Sequence, residues 1–267
     1  MMTFMIDAKS LEIKLGELLD IFYEKRKSRL QNLELIPILK RKNPYLFRAT
    51  GVATGSEIIK QFMAAFISSS DETIFGNEFF EPLAKWAATE SAKTRSETTV
   101  TVGGAAGVDI AVEDAVCYIA LAVKSGTNVF NTQSRSQQEA EFQSLRSRLA
   151  KMKKQFRSVV GYGYGRKEKR VSANRNFEEV AGQGFWELVT GESDFYLRIM
   201  KCMEKKPKEH AAQFKEELAK AENRLVKEFL FHFSNSDGLI DWVKLTQFNS
   251  GEAKMNLAKL PEKTMAS

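Results

Sequence analysis

Cysteine and histidine are scarce in this chain. Its 267 residues include two cysteines and two histidines. Cys117 falls in a strand-like apolar segment and Cys202 in a helix-like one, so we expect two isolated thiols rather than a disulfide or a zinc site. His210 and His232 lie in C-terminal helical sequence with no cysteine nearby. That pattern argues against zinc fingers, histidine-rich metal centres, HNH-type nucleases and a Ser-His-Asp triad.

Long apolar runs and targeting signals are also missing. Every apolar run is interrupted well before the roughly 18 residues that a membrane span needs. The start, MMTFMIDAKSLEIK, lacks the basic beginning and the continuous apolar stretch of a signal peptide. No internal repeat or low-complexity linker is found. With 43% hydrophobic and 28% charged residues, the sequence predicts a cytoplasmic globular protein with one sizeable core and no membrane partner.

A β-hairpin is predicted within residues 107–131, GVDIAVEDAVCYIALAVKSGTNVFN. Two segments rich in valine, isoleucine, alanine and tyrosine form its strands, at residues 108–112 and 117–123. The acidic pair between them favours a turn centred near Ala115. In that register Asp109 lies roughly opposite Ala122 and Lys124, which share one face of their strand. An aspartate and a lysine are therefore expected to converge on one point.

This pairing has two interpretations. A carboxylate is a hard oxygen ligand suited to Mg²⁺, and a nearby lysine can orient or deprotonate a water and offset phosphate charge. Asp109 and Lys124 would then serve phosphodiester hydrolysis. Alternatively, Lys124 ends a buried strand at the surface and Asp109 is a solvated edge residue. The spacing alone does not separate the two interpretations.

Several flanking segments carry a resemblance to a known family. They are NPYLFRATG at residues 43–51, SSSDETIFGNEFFEPLA at 68–84, GVDI, VKSGTNVFN at 123–131 and, more weakly, VVGYGYGRK at 159–167. Together they resemble the PD-(D/E)xK nuclease superfamily and, within it, the PmeII-like type II restriction endonucleases that are similar to GGNCC cutters. The resemblance implies an α/β restriction-endonuclease-like core, with a central mixed sheet flanked by helices and with additional N- and C-terminal helices. It also implies Mg²⁺-dependent cleavage of double-stranded DNA.

The resemblance assigns roles to individual residues. Asp109 would bind the metal and Lys124 would position or activate water. The superfamily pattern places an acid two residues before the lysine, where this chain has Ala122. Glu81, in FFEPLA, matches a helix acid found in several such nucleases and is the expected substitute and second metal ligand; Glu78 is a weaker candidate. The alternative is a variant of reduced activity.

The N-terminal third is predicted to be helical. Apolar spacing predicts helices at Asp7 to Arg29, Leu33 to Leu39, Thr54 to Ile67 and Thr73 to Thr94. Residues 43–51 are expected to be a loop or cap, and residues 68–71 are expected to break the third helix. The segment ETTVTVGGAAG predicts a strand followed by a glycine-rich bend. Its glycines either approach a phosphate or only form the turn, and the absence of a P-loop lysine favours the turn.

DNA contacts are expected in two places. The first is the amide-rich segment after the hairpin, where side chains able to contact bases or phosphates are Ser125, Asn128, Asn131, Gln133 and Arg135. A helix at Gln137 to Gln155 and a strand at Phe156 to Tyr162 follow. The second place is the run from Lys151 to Arg175, with nine basic residues against one acid, so that its net charge exceeds the +6 of the whole chain. A solvated face is the usual meaning of such a run, but Arg166 and Lys167 here are expected to neutralise phosphates.

The C-terminal part is predicted to be helical. Residues 177–203 are expected to form helix, loop and helix, followed by a long helix at Lys208 to Phe233 and a short ordered cap. The expected domains are an N-terminal helical region at 1–69, the catalytic core at 70–200, and a C-terminal helical region at 201–267 for dimerisation or packing. A palindromic site has two-fold symmetry, so a homodimer is expected. The alternative function is a non-catalytic or repair-type DNA-binding protein of the same fold.

Overall fold

The structure, a computed structural model, describes residues 6–95, 97–126, 130–167, 176–204 and 206–251. The chain divides into two compact units: residues 1–22 with 72–209, and residues 23–71 with 210–267. The helices are α1 Ala8–Gln31, α2 Leu35–Leu39, α3 Pro44–Ala49, α4 Gly55–Phe75, α5 Glu81–Ala92, α6 Thr132–Leu149, α7 Gln183–Thr190, α8 Phe195–Cys202, α9 Lys206–Phe233 and α10 Trp242–Ser250. The strands are β1 Thr99–Ala105, β2 Val108–Glu113, β3 Cys117–Lys124, β4 Gln155–Tyr162 and β5 Glu178–Ala181. None of the described helices is both long and apolar enough to cross a membrane.

The first unit contains a mixed five-stranded sheet in the order β1-β2-β3-β4-β5. Strand β2 pairs antiparallel with both β1 and β3, whereas β4 runs parallel to β3 and β5 parallel to β4. In the predicted hairpin, Ile110 pairs with Leu121. Continuing that register by one residue places Asp109 across from Ala122. The predicted α/β core with a mixed sheet and flanking helices is confirmed.

Helices cover both faces of this sheet. On one face, Phe142 and Leu145 of α6 pack in a buried cluster that includes Ala111, Ala120, Ala122, Val160 and Tyr162. On the other face, the side chains of Phe185 in α7 and Leu121 approach Gly161 so closely that a Cβ there would lie 2.3 Å and 3.0 Å from them. Helix α5 is tied to α7 by the Ser91 hydroxyl, which donates to the Val189 carbonyl at 3.1 Å. The sheet is therefore the middle of three layers.

The second unit is helical, with an apolar core formed by α2, α4, α9 and α10 through residues such as Leu35, Ile59, Phe62, Leu225, Phe229 and Leu245. Two predictions in this region were wrong. Residues 44–49 form a helix rather than a loop, because Pro44 suits the first helical turn and the Asn43 side chain accepts from the Tyr45 and Leu46 N–H groups at 3.0 and 3.3 Å. Helix α4 continues through residues 68–71, since polar side chains do not end a helix whose neighbours support it.

Three predicted boundaries in the first unit also differ. Residues 178–181 form strand β5 rather than a helix, because β4 offers a parallel edge that four residues can pair with. Helix α6 begins at Thr132, where Asn131 and Ser134 form a capping box, and ends at Leu149. The helix predicted at Thr73 to Thr94 is interrupted by a π-helix over Gly76–Phe80. Such single-turn π segments often occur at functional sites.

Candidate active site

Asp109 lies near the start of β2 with its carboxylate held by the neighbouring strand. Its Oδ2 accepts a hydrogen bond from the Val123 N–H at 2.7 Å. Burial raises the pKa of the Asp109 carboxyl above its ordinary value, and the Val123 N–H opposes that shift. The charge of Glu81 also raises this pKa, whereas the charges of Lys124 and Lys85 lower it. Two acids and two lysines therefore act on one another at this end of the sheet.

Lys124 is the last residue of β3 and separates two cavities. Its ammonium lies 6.0 Å from the centre of the Phe130 ring. The cavity of about 440 Å³ on the α6 side is lined by Lys124, Asp109, Ser134, Gln138 and others. The cavity of about 480 Å³ on the α5 side is lined by Lys124, Glu81, Asn77, Tyr164 and others. Lys124, at the C-terminal end of β3, thus lines both cavities.

Glu81 is the first residue of α5, directly after the π-helix. The π-helix brings this part of the chain against the end of β3: a Cβ on Gly76 would lie 2.9 Å from the Ser125 Cβ. Only glycine allows so close an approach. The sequence-predicted residues Asp109, Lys124 and Glu81 are therefore brought together from β2, β3 and α5.

Lys85 is a fourth member of this group that the sequence reasoning missed. Its ammonium donates a hydrogen bond to Glu81 Oε1 and lies 3.8 Å from Asp109 Oδ1. The available signal was the spacing of Glu81 and Lys85, since residues four apart share one face of a helix. That spacing shows a salt bridge along α5 but does not show that Asp109 lies beside it.

A comparison with protein families identifies the family of this chain. A family model described as type II restriction endonuclease EcoO109I matches residues 9–211 of the chain. The chain belongs to this family. No curated protein matches it. The matched residues include Asp109, Lys124, Glu81 and Lys85, so the whole charged group lies within the EcoO109I-type region.

Ala122 lies two residues before Lys124, at the position where the resemblance described above leads us to expect an acid. The residue is fully buried, with 0% exposure, in the cluster beneath α6. In β3 it lies on the same face as Lys124. No carboxylate enters the site from this position, and burial together with the acidic charge of Glu81 raises the pKa of Asp109.

The expected DNA contacts are in different surroundings. Ser125 follows β3 and lines the α5-side cavity. Gln133 is exposed near the start of α6, while the Asn131 side chain accepts from the Ser134 N–H at 2.8 Å as a helix cap. Asn128 lies outside the described residues.

Two basic residues that are expected to contact DNA, Arg135 and Lys167, lie beside the buried side chain of Glu179. The Glu179 side chain is 4% exposed, and its Oε1 lies 3.2 Å from Lys167 Nζ and 3.9 Å from Arg135. It also accepts from the Tyr162 hydroxyl at 2.6 Å. Arg166, by contrast, is exposed.

The basic run from Lys151 to Arg175 is partly neutralised within the sheet. Lys154 pairs with Glu113 at 2.6 Å, and Arg157 pairs with Glu178 through two hydrogen bonds of 2.8 and 2.7 Å. Lys167 lies beside Glu179, so three cations among the described residues of this run, 151–167, have acidic partners. Lys169, Arg170 and Arg175 lie outside the described residues. The charge that this run offers to a polyanion is therefore smaller than its composition indicates.

The carboxylates fit a divalent ion that is completed by other ligands. Across the described ranges, no three acidic, histidine or cysteine side chains gather closely enough to hold a metal on protein groups alone. Mg²⁺ needs only one or two carboxylates when waters and substrate phosphate complete its octahedron. Asp109 and Glu81 would be the two carboxylates available for this, and type II restriction endonucleases generally use a divalent metal.

Proposed function

We propose that this protein is a sequence-specific type II restriction endonuclease that hydrolyses double-stranded DNA at a short palindromic site with Mg²⁺. The observation that carries the proposal is the convergence of Asp109, Glu81 and Lys124 beside the C-terminal end of β3, within a chain of the EcoO109I family. Two carboxylates beside a lysine form the donor set that metal-assisted phosphodiester hydrolysis needs.

Each residue has a distinct role in this proposal. Asp109 and Glu81 would hold the ion, which when bound supplies positive charge to the scissile phosphate and acidifies a bound water. The hydrogen bond from Val123 fixes the Asp109 carboxylate at Oδ2, and its Oδ1 lies 3.8 Å from the Lys85 ammonium. Lys124 orients the attacking water and offsets charge on the phosphate.

We expect the exposed cationic and amide side chains, Arg166 and Gln133, to bind DNA. Arg166 and Gln133 are exposed and lie on segments that flank the two cavities. Arg135 and Lys167 face Glu179, so their first effect is on the packing of β5. Their contribution to phosphate binding would require that they leave a buried carboxylate, which is costly.

Recognition and symmetry follow from the proposed substrate. A palindromic site presents two equivalent strands, so two copies of the chain related by a two-fold axis would cut both. The segments that resemble the PmeII-like branch favour a GGNCC-type core sequence. Sequencing the ends of fragments from a mapped genome determines the site, and sedimentation with and without DNA determines whether a homodimer forms.

A second function is favoured by Ala122. Ala122 is a buried, uncharged residue at the position where the superfamily pattern has an acid. A site without that acid fits a non-catalytic or repair-type DNA-binding protein of the same fold. Such a protein would bind DNA through the same surface without site-specific double-strand cleavage.

Incubation with phage DNA and Mg²⁺ separates these functions. Discrete bands are expected for the restriction enzyme, smearing or structure-selective cutting for a repair nuclease, and intact DNA for a binding protein. Lys124→Met should then lower the cleavage rate by about 10²–10⁴, the usual contribution of a positioned proton-transfer group. Lys93→Met is the matched control, because Lys93 pairs with Glu90 at 2.6 Å at the exposed end of α5. Unchanged cutting by Lys124→Met would contradict the assigned site.

A further inference from the structure

Lys85 occupies the position between the two proposed metal ligands. Its ammonium donates to Glu81 Oε1 and lies 3.8 Å from Asp109 Oδ1, so one cation contacts both carboxylates. We propose that Lys85 is an internal counterion that holds Glu81 and Asp109 together before the divalent ion arrives and competes with that ion for them. This inference rests on the proposed function and extends it to the control of metal binding.

The charges at the site support this role. Two like-charged carboxylates close together repel each other, and an ammonium between them removes that repulsion. A divalent ion would supply the same attraction more strongly to the same oxygens. Because Lys85 and the ion require the same carboxylates, binding of one weakens binding of the other.

The surroundings of Lys85 differ from those of an ordinary salt bridge on a helix surface. The side chains of Lys85, Glu81 and Asp109 are 28%, 34% and 24% exposed. Lys93, the C-cap residue of the same helix, is 63% exposed and pairs with Glu90. Partial burial strengthens the Lys85 contacts relative to that exposed pair.

The lysine side chain also allows the exchange that the proposal requires. Its ammonium sits on a flexible four-carbon stem, so it can leave the carboxylates without a backbone movement. An arginine would keep the charge at this position, whereas glutamine or methionine would remove it. These substitutions separate the effect of charge from the effect of volume.

The test measures metal binding without DNA or catalysis. Mn²⁺ alone is titrated into the full-length protein, and the free ion is followed by its electron paramagnetic resonance signal. Lys85→Met and Lys85→Gln are expected to bind Mn²⁺ on the order of tenfold more tightly than the wild type, the scale of a lost hydrogen bond to a charged group. Lys85→Arg should stay near the wild type, and Lys93→Met should not change.

Each outcome supports or overturns the inference. Equal or weaker Mn²⁺ binding in both Lys85→Met and Lys85→Gln overturns it, as does a gain in Lys85→Arg of the same size. Use of both neutral variants guards against one that fails to fold. Asp109→Asn and Glu81→Gln show whether the counterion role or the proposed metal site is wrong. If these two variants bind Mn²⁺ like the wild type, the metal site itself is misassigned. If they lose binding while the Lys85 variants are unchanged, only the counterion role is wrong.

Discussion

The backbone N–H of Val123 donates to Asp109 Oδ2 at 2.7 Å, so the strand that ends in Lys124 also fixes the carboxylate of the facing strand. A charged group that accepts such a bond is held in one orientation more firmly than a solvated one. The distance between the acid and the lysine is therefore set by the β2–β3 register. Changes in that register would disturb both groups together.

Asp109→Asn should stabilise the metal-free protein at neutral pH. Burial raises the pKa of the Asp109 carboxyl above the ordinary 3.8, so the folded state keeps this proton to a higher pH than the unfolded chain does. Ionisation of Asp109 therefore lowers the free energy of unfolding. This loss is absent below pH 3.8 and reaches its full size above the raised pKa of the folded state. Asparagine removes the charge and still accepts from Val123. Urea unfolding should show a gain at pH 7 that disappears towards pH 4.

Asp114→Asn is the control, because we expect it to change stability at neutral pH in the direction opposite to Asp109→Asn. Hydrogen bonds from the Cys117 and Val116 N–H groups lower the pKa of Asp114 in the hairpin turn. Its stabilising effect is present above the unfolded pKa of 3.8 and is lost as the pH falls through the lowered folded value. This variant should therefore be less stable than the wild type at pH 7. A gain in both variants would show that charge removal in general, rather than the burial of Asp109, is responsible.

Ala122→Glu should increase Mg²⁺-dependent cleavage at least about tenfold, because an added ligand carboxylate on the Lys124 face strengthens the metal site. The same change should destabilise the protein by roughly 1–3 kcal/mol, since the larger side chain must displace packed neighbours. Ala122→Gln carries the same volume without the charge. Cleavage assays and denaturant unfolding of both variants measure the two effects. Equal cleavage by Glu and Gln variants would mean that Glu81 already supplies the required acid.

Gly76→Ala should disturb the site from the α5 side. Its methyl group would lie 2.9 Å from the Ser125 Cβ, so either the π-helix or the end of β3 must shift next to Lys124. We expect a loss of about 1–3 kcal/mol in the free energy of unfolding and a lower cleavage rate. Gly184→Ala is the matched control, because nothing lies within 4 Å of its added Cβ in helix α7. That change should be neutral or stabilise by up to about 1 kcal/mol. Equal behaviour of the two variants would rule out the close approach at Gly76.

Replacing Arg166 should change the salt dependence of DNA binding, whereas replacing Lys167 should change the stability of the fold. Arg166→Ala should lower the slope of log binding constant against log salt concentration by about 1, as expected for a lost phosphate contact. Lys167→Ala should instead lower the free energy of unfolding by about 1–3 kcal/mol, because buried Glu179 loses a charged partner. Fluorescence anisotropy with labelled DNA and urea unfolding provide the two readouts. A reduced salt slope in Lys167→Ala at unchanged stability would assign Lys167 to DNA instead.

The sequence by itself determined the hairpin and the proximity of its two charged residues. Alternation along each strand and the short acidic turn fixed the register, and register decides which side chains face each other. The same local signals predicted most helices, since apolar spacing and caps are properties of neighbouring residues. They failed at β5, where four residues became a strand only because an edge of β4 was available to pair with.

Only the tertiary structure decided how α5 meets the sheet. The π-helix at Gly76–Phe80 and the contact of Gly76 with Ser125 depend on the fit between distant segments, which no local pattern encodes. The approach of Lys85 to Asp109 has the same origin. A helix fixes the spacing of Glu81 and Lys85, but packing against the end of β3 selects which carboxylate the lysine meets.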